Sequence, residues 1–203
     1  MKRIAALASG RGSNFQAVLE NITAGNINGE CVALLTDNKE AYAIEQAKVA
    51  GIQVIIHHYT DYPSKEAYEK DLLASMKKTK ADLFICAGYM RIIGKAISET
   101  FAGKMMNIHP ALLPAFTGLH SQRQAVDYGV KIAGCTVHFV DSGLDSGPII
   151  VQKAVPVLDD DDEGALARRI LEQEHIAFSE AIALFCDDRL KIEGRKVKIL
   201  PKL

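Results

Sequence analysis

No C-x-x-C pair occurs in the chain; its four cysteines, Cys31, Cys86, Cys135 and Cys186, stand far apart, each within an apolar run. That spacing argues against a metal or disulfide framework and predicts buried thiols in a reducing compartment, the cytoplasm. No apolar segment approaches the roughly 20 residues that span a bilayer, so no membrane partner is expected. No basic run exists either: 24 Lys and Arg against 25 Asp and Glu leave a formal charge of -1, which gives nucleic acid no general electrostatic hold. Repeats, low-complexity stretches and linkers are missing, and the first strand-like run comes too early and meets glycine too soon for a signal peptide. What is there is a chain of 203 residues that can bury one substantial core, expected as a single domain over 1–203 acting on small molecules.

Continuous apolar runs at 4–8, 32–36, 54–56 and 83–87 read as strands buried on both faces. Between the first two, Phe15, Val18, Leu19 and Ile22 recur at helical spacing and the pattern ends by Gly25, which makes a βαβ unit. Further helices are predicted at about 41–50, with Gly51 as C-cap, and at about 64–78, with Tyr68, Leu72 and Met76 on one face. After residue 130 the rhythm changes. Runs at 132–140 and 149–157, joined by a short Asp- and Gly-rich loop, favour an antiparallel pair; a long helix over about 163–185 and a hairpin over Glu193-Gly194 follow. The expected class is α/β, three-layered, with a mostly parallel, Rossmann-like N-terminal half and an antiparallel C-terminal portion.

Ser9-Gly10-Arg11-Gly12-Ser13-Asn14 lies between the first strand and first helix, where backbone N–H groups and the helix dipole favour an anion such as phosphate. A plain tight turn with Ser13 as N-cap is the alternative. As a dinucleotide fingerprint the stretch is incomplete, because Phe15 stands at the third glycine position, although Asp37 would suit a ribose; it lacks the Gly-Lys-Ser/Thr of a P-loop.

Asn107-Ile108-His109-Pro110-Ala111-Leu112-Leu113-Pro114 carries Asn and His two apart, hence on one face of an extended segment, and Pro110 and Pro114 bracket a shaped loop behind them. Asp145, in Leu144-Asp145-Ser146-Gly147-Pro148, completes a set able to polarise a carbonyl and move a proton. Asn107 and a protonated His109 can donate to an oxyanion, and Asp145 can hold the imidazolium. No G-x-S-x-G elbow is present, so direct attack by a substrate amine fits better than a covalent acyl-enzyme.

With Ala87-Gly88-Tyr89-Met90-Arg91-Ile92 and Val137-His138-Phe139-Val140, these motifs resemble the folate-dependent formyltransferases nearly end to end, phosphoribosylglycinamide formyltransferases in particular. The resemblance implies formyl transfer from 10-formyltetrahydrofolate to the amine of 5-phosphoribosylglycinamide in purine synthesis, without a metal. It implies Asn107, His109 and Asp145 as the catalytic set, Gly12, Ser13 and Asn14 around the ribose phosphate, and Glu174 on the ribose side. It implies a folate site of Met90, Arg91, Ile92, Ile93, Asn107, Asp141, Leu144 and Asp145, with Lys65 toward the glutamate tail. The family more often carries Arg at Lys65, and Lys lacks the bidentate fork; Leu171 replaces a polar residue of some relatives. The expected state is monomer or homodimer.

Read without the resemblance, Glu174 projects from the middle of the long helix's apolar stripe (Leu166, Ile170, Ala177, Phe178, Ala181, Phe185), where a buried ion pair with an arginine is the simpler expectation. The acidic run at 159–163 lacks an EF-hand register and reads as a solvated helix start; His57-His58 has no ligand pattern, His138 reads as a core or supporting histidine, and His120 and Arg123 receive no role. Formyltetrahydrofolate hydrolase and methionyl-tRNA formyltransferase share the Asn, His and Asp set but usually carry an extra domain, for which this chain has no room. A non-catalytic nucleotide-binding module using Gly10, Gly12 and Asp37 is the rival of another class.

Overall fold

The computed structural model describes residues 1–202. Among these residues nine strands form one sheet in the order β3-β2-β1-β4-β5-β6-β7-β9-β8. The first five, β1 (Lys2–Leu7), β2 (Gly29–Thr36), β3 (Gln53–Ile56), β4 (Leu83–Cys86) and β5 (Met105–His109), run parallel. Then β6 (Ile132–Phe139) and β7 (Ile149–Pro156) join antiparallel, as the short loop between them requires. A closing hairpin, β8 (Leu190–Glu193) and β9 (Lys196–Ile199), meets β7 through one parallel pair, Ile149 with Lys196. The chain works outward from β1 to β3, then returns to the other side of β1 as β4. That reversal opens a crevice at the carboxyl ends of β1 and β4, where α/β sheets bind ligands.

Alternation along β1 shows why the sheet is buried on both faces. Ile4, Ala6 and Ala8 pack in one core with Phe15, Val18, Ile170 and Phe178; Ala5 and Leu7 pack in another with Tyr68, Leu72, Met76 and Ile97. Helices α1 (Ser13–Thr23), α2 (Ala43–Val49), α5 (Ser121–Tyr128) and α6 (Glu163–Cys186) cover the first face, and α3 (Lys65–Thr79) and α4 (Lys95–Thr100) the second, giving three layers. Asp162 Oδ1 caps α6 by accepting from Ala165 N at 2.6 Å, and Ser64 Oγ caps α3 by accepting from Ala67 N at 3.2 Å.

Several boundaries differ from the sequence expectation for identifiable reasons. The helix expected from residue 41 begins at Ala43, whose N–H donates to the Gly10 carbonyl at 3.2 Å and seats α2 on the glycine turn. Helix α4 has six residues, too short to show a period, and forms because Ile97 finds the second core. Cys31 is half-buried rather than buried, unlike Cys86, Cys135 and Cys186. In the stripe of α6, Ile182 is fully buried while Phe185 is only partly so.

Candidate active site

Two hydrogen bonds hold the glycine turn to the segment after β4: Ser9 N–H donates to the Gly88 carbonyl at 3.1 Å, and Met90 N–H donates to Ser9 Oγ at 2.9 Å. Gly12, not Ser13, is the N-cap of α1, in a left-handed conformation at φ 73°. Glycine is required there twice over. A side chain would be strained at that φ, and its Cβ would fall 2.8 Å from Ala43 Cβ and 2.6 Å from Gln46 Oε1. Because the cap residue has no side chain to accept, the N–H groups of the first turn of α1 stay available to an anion. Arg11 and Ser13 also border a groove of about 880 Å³ between α1 and α2, lined in addition by Gln16, Gln46 and His175.

Glu174 reaches this turn from α6. Its partner is Asn14, whose Nδ2 donates to Glu174 Oε2 at 2.7 Å, so the arginine expected from burial alone is replaced by a neutral amide. Asn14 Oδ1 is buried without a protein partner. Burial pushes the Glu174 carboxyl above its ordinary value of 4.5, and the Asn14 amide only partly opposes this. A carboxyl whose folded pKa is raised favours folding below its unfolded value and loses that contribution as pH rises through the folded one. Glu174→Gln should therefore raise the thermal midpoint near about pH 8 and leave it unchanged near about pH 4. Thermal unfolding at both pH values checks this; a lower midpoint for Glu174→Gln at the alkaline pH would mean the carboxylate is stabilised in place.

Around the segment after β4, Arg91 Nε donates to the buried Asp37 carboxylate at 2.9 Å, and the guanidinium lies 3.7 Å over the Tyr59 ring. Arg91 thereby engages Oδ2 of Asp37, the acid a dinucleotide ribose would need, while Oδ1 is buried without a protein partner. Met90, Ile92 and Leu144 are apolar side chains 68%, 67% and 54% exposed, while Ile93 packs against the second core. Lys65 pairs with Glu69 at 3.4 Å, and the Glu69 carboxylate abuts Gly94, which puts Lys65 beside the end of this segment. Asp141 shapes its own loop, accepting from Ser146 Oγ at 2.7 Å and Gly143 N at 3.0 Å.

Asn107 and His109 share one face of β5, with His138 and Thr136 directly opposite on β6. This face belongs to the side of α3 and α4, and over it lie the loops after β5 and β6. Asp145 Oδ2 accepts from Gly118 N at 2.8 Å and lies 3.5 Å from His109 Nδ1. His109 Nε2 donates to the Phe116 carbonyl at 2.8 Å. Both ring nitrogens thus face oxygen acceptors, and Nε2 is engaged by the Phe116 carbonyl. Phe116 at φ 52° and Asp145 at φ 49° both hold left-handed backbone that non-glycine residues seldom adopt. Such strain is retained where surrounding contacts over-determine the loop, here by the Gly118, His109 and Asp145 contacts. Asn107 Nδ2 approaches His138 Nε2 at 3.3 Å. Neither Phe116, Gly118 nor Tyr59 was marked by the sequence; their contributions come from main-chain atoms or a ring face, which leave no residue-type signal.

The acidic run at 159–163 and His57 are engaged within the fold. Asp161 takes Arg169 in a two-point pair at 2.6 and 2.9 Å, which holds its carboxyl down at about 2, Asp159 pairs with Lys131, and Glu163 takes Arg123. His57 Nδ1 meets Tyr62 Oη at 2.8 Å, with Asp71 beyond. Among the described residues no group of three or more His, Cys, Asp or Glu is disposed to hold a metal ion, and no helix is long and apolar enough to cross a membrane.

The chain is similar to known proteins over most of its length. The formyl transferase family profile matches residues 2–182. The phosphoribosylglycinamide formyltransferase of Escherichia coli (strain K12) is 38% identical over 189 residues, which cover 93% of this chain and 89% of that protein. The trifunctional purine biosynthetic protein adenosine-3 of Drosophila melanogaster is 42% identical over 185 residues, 90% of this chain; the chain spans only 14% of that relative's length. Among solved structures, glycinamide ribonucleotide transformylase 1 from Symbiobacterium toebii superposes with a TM-score of 0.96 at 47% identity, covering 99% of this chain and 95% of that one.

Proposed function

Since the chain belongs to the formyl transferase family, we propose that it transfers a formyl group from 10-formyltetrahydrofolate to the amine of 5-phosphoribosylglycinamide, giving formylglycinamide ribonucleotide and tetrahydrofolate. One observation carries this reading: Asn107, His109 and Asp145 converge on one face of β5, on the sheet whose β1 ends in a turn with no side-chain cap on its N–H groups. The exposed apolar side chains of Met90, Ile92 and Leu144 suit a flat heteroaromatic ring, so the residues present fit a folate donor. The folate supplies an activated formyl group. Arg91, held by Asp37 and Tyr59, offers its remaining guanidinium hydrogens to the donor's polar edge, and Lys65 its ammonium to a tail carboxylate.

On the acceptor side, the N–H groups at Ser13 and Asn14 receive the phosphate, and Glu174 accepts from ribose hydroxyls beside Asn14. Asn107 donates one amide hydrogen to the oxygen that gains charge as the acceptor amine adds to the formyl carbon. His109 adds a second, charged donor there once Nε2 exchanges the Phe116 carbonyl for that oxygen. Asp145 balances the imidazolium and relays the proton leaving the amine, through water, toward the departing folate nitrogen.

A direct assay decides the matter. With 10-formyltetrahydrofolate as donor, tetrahydrofolate should form rapidly when phosphoribosylglycinamide is present and only slowly with water alone. Equal rates with and without the acceptor would identify a hydrolase instead.

A further inference from the structure

We propose that His138 orients the Asn107 amide: as a neutral imidazole it accepts from one amide hydrogen and so aims the other at the formyl oxygen. This role rests on the formyl-transfer reading above. The two ends of an Asn side chain have nearly the same shape and opposite hydrogen-bonding sense, so Asn107 alone cannot decide which end meets the substrate. Turned one way it stabilises an oxyanion; turned the other it presents lone pairs that repel one.

The surroundings decide it in two steps. His138 Nδ1 lies 2.9 Å from the Phe139 carbonyl, which can only accept, so the hydrogen of a neutral ring sits on Nδ1. Nε2 then carries a lone pair that needs a donor. Asn107 stands directly opposite across the β5–β6 ladder, and its NH2 end answers at 3.3 Å. His138 is 3% exposed, so water does not compete for either contact.

Protonation would reverse the arrangement. A hydrogen on Nε2 can be met only by the Asn107 carbonyl or by Asp145, whose Oδ1 lies 3.8 Å away. The first turns the amide over, and the second draws Asp145 from His109. The charged groups facing His138 are Asp145 and Asp141 from the loop after β6, which favour the proton, and His109 from β5, which opposes it. Burial outweighs them and, despite the favourable Phe139 carbonyl, holds the ring below its ordinary value of 6.5. The neutral form therefore prevails at physiological pH, and turnover is lost as pH falls through the lowered value.

Three measurements on the full chain test this. His138→Leu, which leaves the amide free to turn, should lower kcat about 10-fold with both KM values within about two-fold of wild type. His138→Gln, whose side-chain carbonyl can take the same amide hydrogen but cannot titrate, should recover turnover and abolish the acid limb of the kcat profile that His138 produces. Nitrogen-15 NMR of the unmutated protein should show the His138 ring neutral with its hydrogen on Nδ1 near about pH 7. Undiminished kcat in His138→Leu, or a ring with its hydrogen on Nε2, would overturn the role even if the wild type transfers formyl groups. A wild type that does not transfer them would overturn the underlying reading, and this role with it, whatever the tautomer.

Discussion

Asp145→Asn should lower kcat about 100- to 1,000-fold, the range typical for losing one preorganised electrostatic contributor, while both KM values change little. The substitution isolates charge from shape. Asp145 sits at φ 49°, a conformation Asn tolerates better than other non-glycine residues, and an Asn carbonyl can still accept from Gly118 N. The loop should therefore stay in place, and what disappears is the negative charge 3.5 Å from His109 Nδ1. His109→Ala should have an effect of the same order, and the double variant should lose much less than the product of the two, because the pair acts as a unit. Steady-state kinetics with circular dichroism as the folding control measures all three. Near-normal turnover in a folded Asp145→Asn protein would remove Asp145 from the mechanism.

Gly147→Ala should destabilise the protein by about 2–3 kcal/mol, at the upper end of overpacking costs, and reduce turnover at least about 100-fold. Gly147 does not hold the left-handed backbone that favours glycine, so the expected effect is steric. An added Cβ would overlap the Phe139 carbonyl oxygen, and that oxygen belongs to β6 and cannot rotate away. Relief requires the loop to lift from the end of β6, which breaks the bond from Phe139 N to the Pro148 carbonyl at 2.9 Å and carries Asp145 away from His109. Gly143→Ala is the matched control. There the Cβ meets mainly the Ser146 side chain, which can turn aside at the cost of its bond to Asp141, so stability and turnover should suffer less. Denaturant unfolding and kcat for both variants check the contrast; equal behaviour of the two would show that the β6 contact is not what seats the loop.

Much of the architecture could be read before folding. Continuous apolar runs at 4–8, 32–36 and 83–87 marked strands that pack on both faces, and the short link between 140 and 149 marked the antiparallel pairing of β6 with β7. Helices with full turns and caps, α3 behind Ser64 and α6 behind Asp162, were found to within a residue or two. Helix α4 was not, because six residues complete less than two turns and leave no period to recognise. Helix α2 begins two residues after the expected start, with Ala43 N–H bonded to the Gly10 carbonyl from more than thirty residues away.

The candidate site divides along the same line. Spacing alone put Asn107 and His109 on one face of a strand, since residues two apart in an extended chain always share a side. Composition placed an anion-favouring turn ahead of α1, and helical periodicity put Glu174 within an apolar stripe. Those are local properties, determined by residue type and the repeat of the backbone. Which group answers Glu174, what occupies Asp37, which nitrogen of His109 meets Phe116 and which end of Asn107 faces outward depend on atoms brought together from distant parts of the chain. Hydrogen bonds are directional and short, so a shift of an ångström or a ring hydrogen on the other nitrogen reverses them, and no pattern in one dimension carries that information. Residue types and their spacing point to the kind of chemistry, while the folded arrangement aims its donors and acceptors.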